Sequence, residues 1–238
     1  TLAASMLNAI SRNEKQGTLE GRLFEVASIY IPESLPLTSY PDERKVLCVG
    51  TFGNNESFFT MKGIANTIAE SMDIAFTYEP VQKSFLHPYQ AVKVLCEGVE
   101  IGYFGKAAYD IQNELSMRTS AYIMELDLKE LSRWYGKKRT FQPISKFQEE
   151  KRDLAFVMDK NISCGEVENC IREANKYVKE IRLFDVYEGG QIPEGKKSIA
   201  FTVTFAPKEE AFDFEKVQKF VDKICKKLQN EFQIELRG

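Results

Sequence analysis

From Ser198 to Phe205 the sequence alternates without a break: Ile199, Phe201, Val203 and Phe205 are large and apolar, while Ser198, Ala200, Thr202 and Thr204 are small or polar. Successive side chains of a strand point to opposite faces, so one face of this segment is built to be buried and the other is not. That is the pattern of a half-buried antiparallel strand. The stretch Arg182–Tyr187 before it is apolar too, and Gly189, Gly190, Pro193 and Gly195 punctuate the connection, where the chain has to reverse. The segment from 182 to 205 therefore reads as a hairpin with a long loop. Its loop almost spells a phosphate-cradling motif, Gly190 to Lys197, but Lys197 stands where a magnesium-holding Ser or Thr is needed, and a strand follows instead of a helix.

The surrounding elements extend this hairpin into a domain. Asp153–Met158 reads as a strand, and Ser163 with Glu166 forms a capping box for a helix carrying Val167, Cys170, Ile171 and Ala174. Val178–Tyr187 is the next strand. From a cap at Asp213, the residues Phe214, Val217, Phe220, Val221, Ile224, Leu228 and Phe232 form one apolar stripe, and Ile234–Leu236 closes as a last strand. The order β-α-β-β-α-β is the ferredoxin-like arrangement, with two helices on one face of a four-stranded antiparallel sheet and the other face free.

Upstream, Leu2, Met6, Leu7 and Ile10 mark a helix over 2–13 with no visible cap, which suggests a chain cut from something longer, and Gly17 stands where the helix would stop. Strands are expected over 22–31 and 45–53, and a helix from about Thr60, with Thr60 as cap and Phe59, Ile64, Ile68 and Met72 on its apolar side. A tight hairpin around Gly98 joins 91–97 to 100–106; a short helix over 107–115 and a strand over 121–128 follow. The strands succeed one another too closely for crossover helices, so this region is α+β with a largely antiparallel sheet. The polar stretch 135–150, broken by Pro143, places a boundary between domains 1–143 and 144–238.

Composition narrows the chemistry. No apolar run approaches the roughly 20 residues that span a bilayer, and a signal peptide is not evident, so a cytoplasmic chain is expected. The five cysteines are scattered without a C-x-x-C pair and read as core residues rather than disulfides or metal ligands. The single histidine, His87, sits in Phe85-Leu-His-Pro88, which reads as a proline-locked turn rather than a catalytic setting. A net charge of −3 argues against coating nucleic acid by charge alone, so an RNA contact would be local and a DNA partner is not expected.

Residues 145–238 resemble the ferredoxin-fold anticodon-binding domain that ends bacterial phenylalanyl-tRNA synthetase beta chains, on Lys151-Arg-Asp-Leu-Ala155, Leu183-Phe-Asp-Val-Tyr187, Ile192-Pro-Glu-Gly-Lys-Lys-Ser198 and Leu236-Arg-Gly238. The segments 2–13, Leu23-Phe-Glu25, Phe58-Phe-Thr-Met-Lys-Gly63, Phe85-Leu-His-Pro88 and Ile101-Gly-Tyr-Phe-Gly105 resemble that family's catalytic-like domain, here truncated at its N-terminal side. The pattern departs from the family at Tyr89-Gln90, where Gly-Arg is usual, and at Gln148, where Pro is usual. The capping Asp usual at Thr60 and the Gly usual near Ala27 are missing too.

The resemblance implies a class II synthetase-like antiparallel domain followed by the ferredoxin-like domain. It implies that this stretch carries no catalytic or metal-binding residues, ATP and Mg2+ being used by the whole ligase on its alpha chain. The implied partners are tRNA(Phe) and that alpha chain, in an alpha2-beta2 heterotetramer. The family's anticodon contacts fall at positions matching Ala155, Asp185, Tyr187 and Ser198. Strand alternation adds Asp153 and Ala200 to the same outward face, with Lys196 and Lys197 as phosphate holders at the loop's end. Leu2, Met6, Leu7 and Ile10 match a segment that packs at subunit interfaces. Two other readings fit the C-terminal unit: a regulatory ferredoxin-like module binding a small ligand, and a purely structural assembly piece.

Overall fold

A computed structural model describes residues 1–136, 146–190, 192–207 and 210–236, the side chain of Glu235 excepted. The chain divides into two compact units, Thr1–Thr140 and Phe141–Gly238. The boundary expected at 143/144 lies outside the described residues.

The N-terminal unit begins with α1 (Ala3–Lys15) and β1 (Gly21–Ile31), followed by β2 (Asp42–Phe52), α2 (Phe58–Ser71), β3 (Phe76–Pro80), β4 (Leu86–Cys96), β5 (Val99–Ala107), α3 (Tyr109–Glu114), β6 (Ala121–Asp127) and α4 (Leu128–Ser132). Six strands form one antiparallel sheet in the order β1-β2-β6-β5-β4-β3. Both faces of its centre are covered. On one, Met6, Leu7 and Ile10 of α1 meet Cys48, Phe52, Ala121 and Ile123; on the other, Met61 and Ala65 of α2 meet Val49, Val94, Phe104 and Met124.

Met6, Leu7 and Ile10 are buried in the unit's own core, with Leu2 packed against them, because the sheet itself offers the apolar surface that the stripe needs. α1 is also tied down at its far end. The buried carboxylate of Glu14 accepts from the N–H groups of Arg118 (2.9 Å) and Thr119 (3.0 Å) and from the Thr119 hydroxyl (2.6 Å).

Several local expectations move. α2 is capped by Ser57, not Thr60: the Ser57 hydroxyl accepts from the Thr60 N–H while Thr60 Oγ1 accepts from the Ser57 N–H. Starting earlier turns the helix, so Phe58 packs on Phe104 with ring centres 5.0 Å apart, and Phe59 points to solvent. β3 and α4, five residues each, are too short to show a period in the sequence. His87 lies inside β4, in its irregular first half, rather than in a turn. Burial is the first cause raising the thiol of Cys48, and of Cys170 in the second unit, to about 12.

The C-terminal unit runs β7 (Glu150–Asp159), α5 (Cys164–Ala174), β8 (Val178–Tyr187), β9 (Lys196–Phe205), α6 (Phe214–Phe232) and β10 (Glu235–Leu236). Its antiparallel sheet has the order β10-β7-β9-β8, which is the ferredoxin-like arrangement expected from the element order. Ser163 and Glu166 form the capping box of α5, and Asp213 caps α6 by accepting from the Lys216 N–H at 2.7 Å. Both helices pack on one sheet face. Leu154, Phe156, Met158, Ile199, Phe201, Val203 and Phe205 meet Val167, Ile171, Val217, Ile224 and Leu228. Phe214, counted into the α6 stripe, is exposed, with the Arg152 guanidinium 5.8 Å from its ring centre. No helix among the described residues is long and apolar enough to cross a membrane.

Candidate nucleic-acid interface

The face of the C-terminal sheet opposite α5 and α6 is lined row by row according to the strand register. Lys151, Thr204 and Glu180 form one row; Asp153, Thr202 and Arg182 the next; then Ala155, Ala200 and Asp185; then Val157, Ser198 and Tyr187; and last Asp159 with Lys196. The middle of this face is made of small residues. A low floor of Ala155, Ala200 and Ser198 has Asp185 and Tyr187 standing along one side.

Asp185 and Tyr187 reach this face because β8 is irregular. Leu183 lies opposite Phe201, but Asp185 lies opposite Ala200, so one extra residue is inserted at 184. In an unbroken strand, residue 185 would oppose Ile199 and residue 187 would oppose Lys197, which places both on the helix side. The bulge turns them over. A second shift between Val178 and Glu180 does the same for Glu180 and Arg182. The sequence carries a trace of both shifts, since the apolar positions Val178, Ile181, Leu183 and Val186 are spaced three, two and three apart.

Ala155, Asp185, Tyr187, Ser198, Asp153 and Ala200 share the open face. Ser198 and Ala200, however, are buried, since β9 is a central strand and their taller neighbours shade them; they form a floor and do not project. Asp153 accepts from Thr202 Oγ1 at 2.6 Å, a cross-strand bond that occupies one of its oxygens. Lys196 shares the open face. Lys197 does not: it lies opposite Met158, on the helix side, and its ammonium donates to the carbonyls of Ile162 (2.6 Å) and Lys160 (3.1 Å) before α5. That ammonium is engaged in a turn, which corrects its reading as a phosphate holder.

Tyr187 is positioned by Gly189. A Cβ on Gly189 would lie 2.2 Å from the tyrosine Oη and 2.4 Å from Cζ, so the ring tip rests against the glycine backbone. Among the described residues no hydrogen bond or ion pair engages the carboxylate of Asp185 or the guanidinium of Arg182. Sequence reasoning did not single out Arg182 or Val157, because β8 has to be placed in phase before Arg182 can be assigned a face. The arrangement offers two carboxylate oxygens to accept from a base edge, a phenol ring for stacking, and a floor low enough to admit a flat ligand.

Comparison with known proteins matches both units. The family model described as "Phenylalanyl tRNA synthetase beta chain CLM domain" matches residues 1–128, and "Ferredoxin-fold anticodon binding domain" matches residues 145–237. Among similar curated proteins is the phenylalanine–tRNA ligase beta subunit of Clostridium tetani, 32% identical over 241 residues, covering 100% of this chain and 30% of that one. The corresponding subunit of Bacillus subtilis is 30% identical over 250 residues, covering 100% and 31%. That of Bacillus licheniformis is 36% identical over 184 residues, covering 76% and 23%. The chain thus spans less than a third of the length of the relatives it matches.

Proposed function

Because the chain belongs to the phenylalanyl-tRNA synthetase beta-chain family, we propose that it supplies the RNA-reading and assembly part of a cytoplasmic phenylalanine–tRNA ligase. In this reading the open face of the C-terminal sheet holds the anticodon of tRNA(Phe), while ATP- and Mg2+-dependent aminoacylation takes place on an alpha-chain partner in an alpha2-beta2 heterotetramer. The observation that carries the reading is the β8 bulge, which brings an unengaged carboxylate and an exposed ring onto the sheet face opposite α5 and α6.

The test is a titration of the chain with tRNA(Phe) against another tRNA. Losing one stacking contact costs about 1–3 kcal/mol, so Tyr187→Ala weakens binding of tRNA(Phe) by that amount while the melting curve stays in place. Asp185→Ala lowers discrimination between the two tRNAs. Repeating the titration over a salt range gives a shallow dependence, because the cations on this face among the described residues are Lys151, Arg182 and Lys196. At about 0.7 counterions released per contacted phosphate of a single strand, these three contribute about −2 to the log–log slope. Unchanged tRNA affinity in both variants with the fold intact overturns the assignment; binding of a free small ligand in place of tRNA favours the regulatory reading.

For assembly, the supporting feature is β1 rather than the buried stripe of α1. β1 is an edge strand of eleven residues, and Phe24, Val26 and Tyr30 on one of its faces are exposed, Phe24 at 77%. A long edge with unpaired backbone groups and an apolar face is a surface made to be covered. Phe24→Asp is expected to abolish co-purification with the alpha chain without changing the chain's own melting temperature. Undiminished co-purification places the contact elsewhere.

A further inference from the structure

A second cluster, in the N-terminal unit, is left unused by the anticodon reading. Lys106, at the end of β5, is only 9% exposed, yet among the described residues no carboxylate pairs with it. Its ammonium lies 3.4 Å from the Tyr109 hydroxyl and 4.8 Å from the centre of that ring. His87 meets the same ring edge-on, with centres 5.2 Å apart, and Tyr89 stands 6.1 Å from His87. The Tyr89 N–H donates to His87 Nδ1 at 3.2 Å, so in the neutral imidazole the proton sits on Nε2, as a second donor. Tyr109 is 58% exposed and Tyr89 92%.

Lysine is rarely buried to this degree without an acid partner, since a desolvated ammonium needs a counter-charge. Contact with the Tyr109 ring compensates only in part. Tyr109 beside the ammonium and Tyr89 beside His87 are open to solvent, which is the surface a flat ring stacks on. A cation short of an anion, a second N–H donor, and two exposed phenol rings together match a ligand bearing both a phosphate and a base.

We infer that Lys106, His87, Tyr89 and Tyr109 form a second binding site, for a nucleotide unit whose phosphate is held by Lys106 and His87 Nε2 and whose base stacks on the exposed tyrosine surface. All four residues belong to the N-terminal unit. The same chemistry is presented by a free nucleotide and by an unpaired residue of an RNA strand, and the experiment separates the two.

His87 is the single histidine of the sequence, so selective isotope labelling of histidine gives one reporter inside the site. The imidazole resonances of the labelled chain are followed while AMP, a short single-stranded RNA or inorganic phosphate is added. A saturable shift with AMP is expected if a free nucleotide suffices, and with the RNA alone if the strand is required. Tyr187→Ala leaves the shift unchanged. Lys106→Met weakens it about tenfold, as loss of a hydrogen bond to a charged group does, and Tyr89→Ala, at a side chain too exposed to threaten the fold, weakens it as well. The inference is overturned if neither AMP nor RNA moves the signal, if phosphate alone reproduces the shift, or if both variants bind like the parent.

Discussion

Gly102→Ala is expected to unfold the N-terminal unit. A Cβ at residue 102 would lie 2.0 Å from the carbonyl oxygen of Glu125 and 2.9 Å from the Cα of Leu126, on the neighbouring strand β6. Both obstacles are backbone in the middle of a sheet, with α1 packed on one side and α2 on the other, so neither can give way as a side-chain tip would. Ordinary overpacking of a core costs about 1–3 kcal/mol, and a rigid clash this short exceeds the upper end of that range. Trp134, the one tryptophan, packs in the core of this unit and reports on it alone. Loss of its native fluorescence, or a denaturation midpoint sharply lowered, is the expected result; a midpoint like the parent's would show that the strands separate here at little cost. Gly105 obeys the same constraint, its Cβ falling 2.6 Å from the carbonyl oxygen of Gln90.

Glu14→Leu is the second large effect. The carboxylate is 99% withdrawn from solvent, being 1% exposed, and answers three donors of the 118–119 turn across more than a hundred residues of sequence. Leucine fills the space but leaves the two N–H groups without acceptors. Each buried unsatisfied group costs about 1–3 kcal/mol, so the unit should lose about 2–6 kcal/mol, measured by denaturant unfolding at Trp134. Glu14→Gln keeps one acceptor oxygen and should fall between. A loss below about 1 kcal/mol in Glu14→Leu would mean that the turn finds other partners.

The features legible in the sequence are those specified by neighbours along the chain. The Ser163/Glu166 box, the Asp213 cap and the alternation of β7 and β9 depend on spacings of two or three residues, and each stands where it was expected. Ser57 and Thr60 show the limit of that approach. Both residue types can cap, and the choice was settled by Phe58 finding Phe104, a residue forty-six positions away. The α1 stripe shows another limit: Met6, Leu7 and Ile10 are apolar whether they meet a partner or their own sheet, and only the sheet's position decides. Ser198 and Ala200 were placed on the correct face but not at the correct depth, because depth depends on what stands on adjacent strands. Lys197 was misread for the same reason, its acceptors lying in the turn before α5.

The extra residue at 184 also bears on how this strand is compared between relatives. Upstream of it, odd-numbered positions such as Ile181 and Leu183 belong to the helix side; downstream, Asp185 and Tyr187 carry odd numbers and belong to the other. The strand is therefore written in two phases, and residue 184 is the point where one changes into the other. A homologue with one residue fewer there keeps every letter from 185 onward and still presents the opposite set of side chains on the open face. For such a strand the alignment column alone does not define equivalence; the count of residues between Leu183 and Tyr187 does.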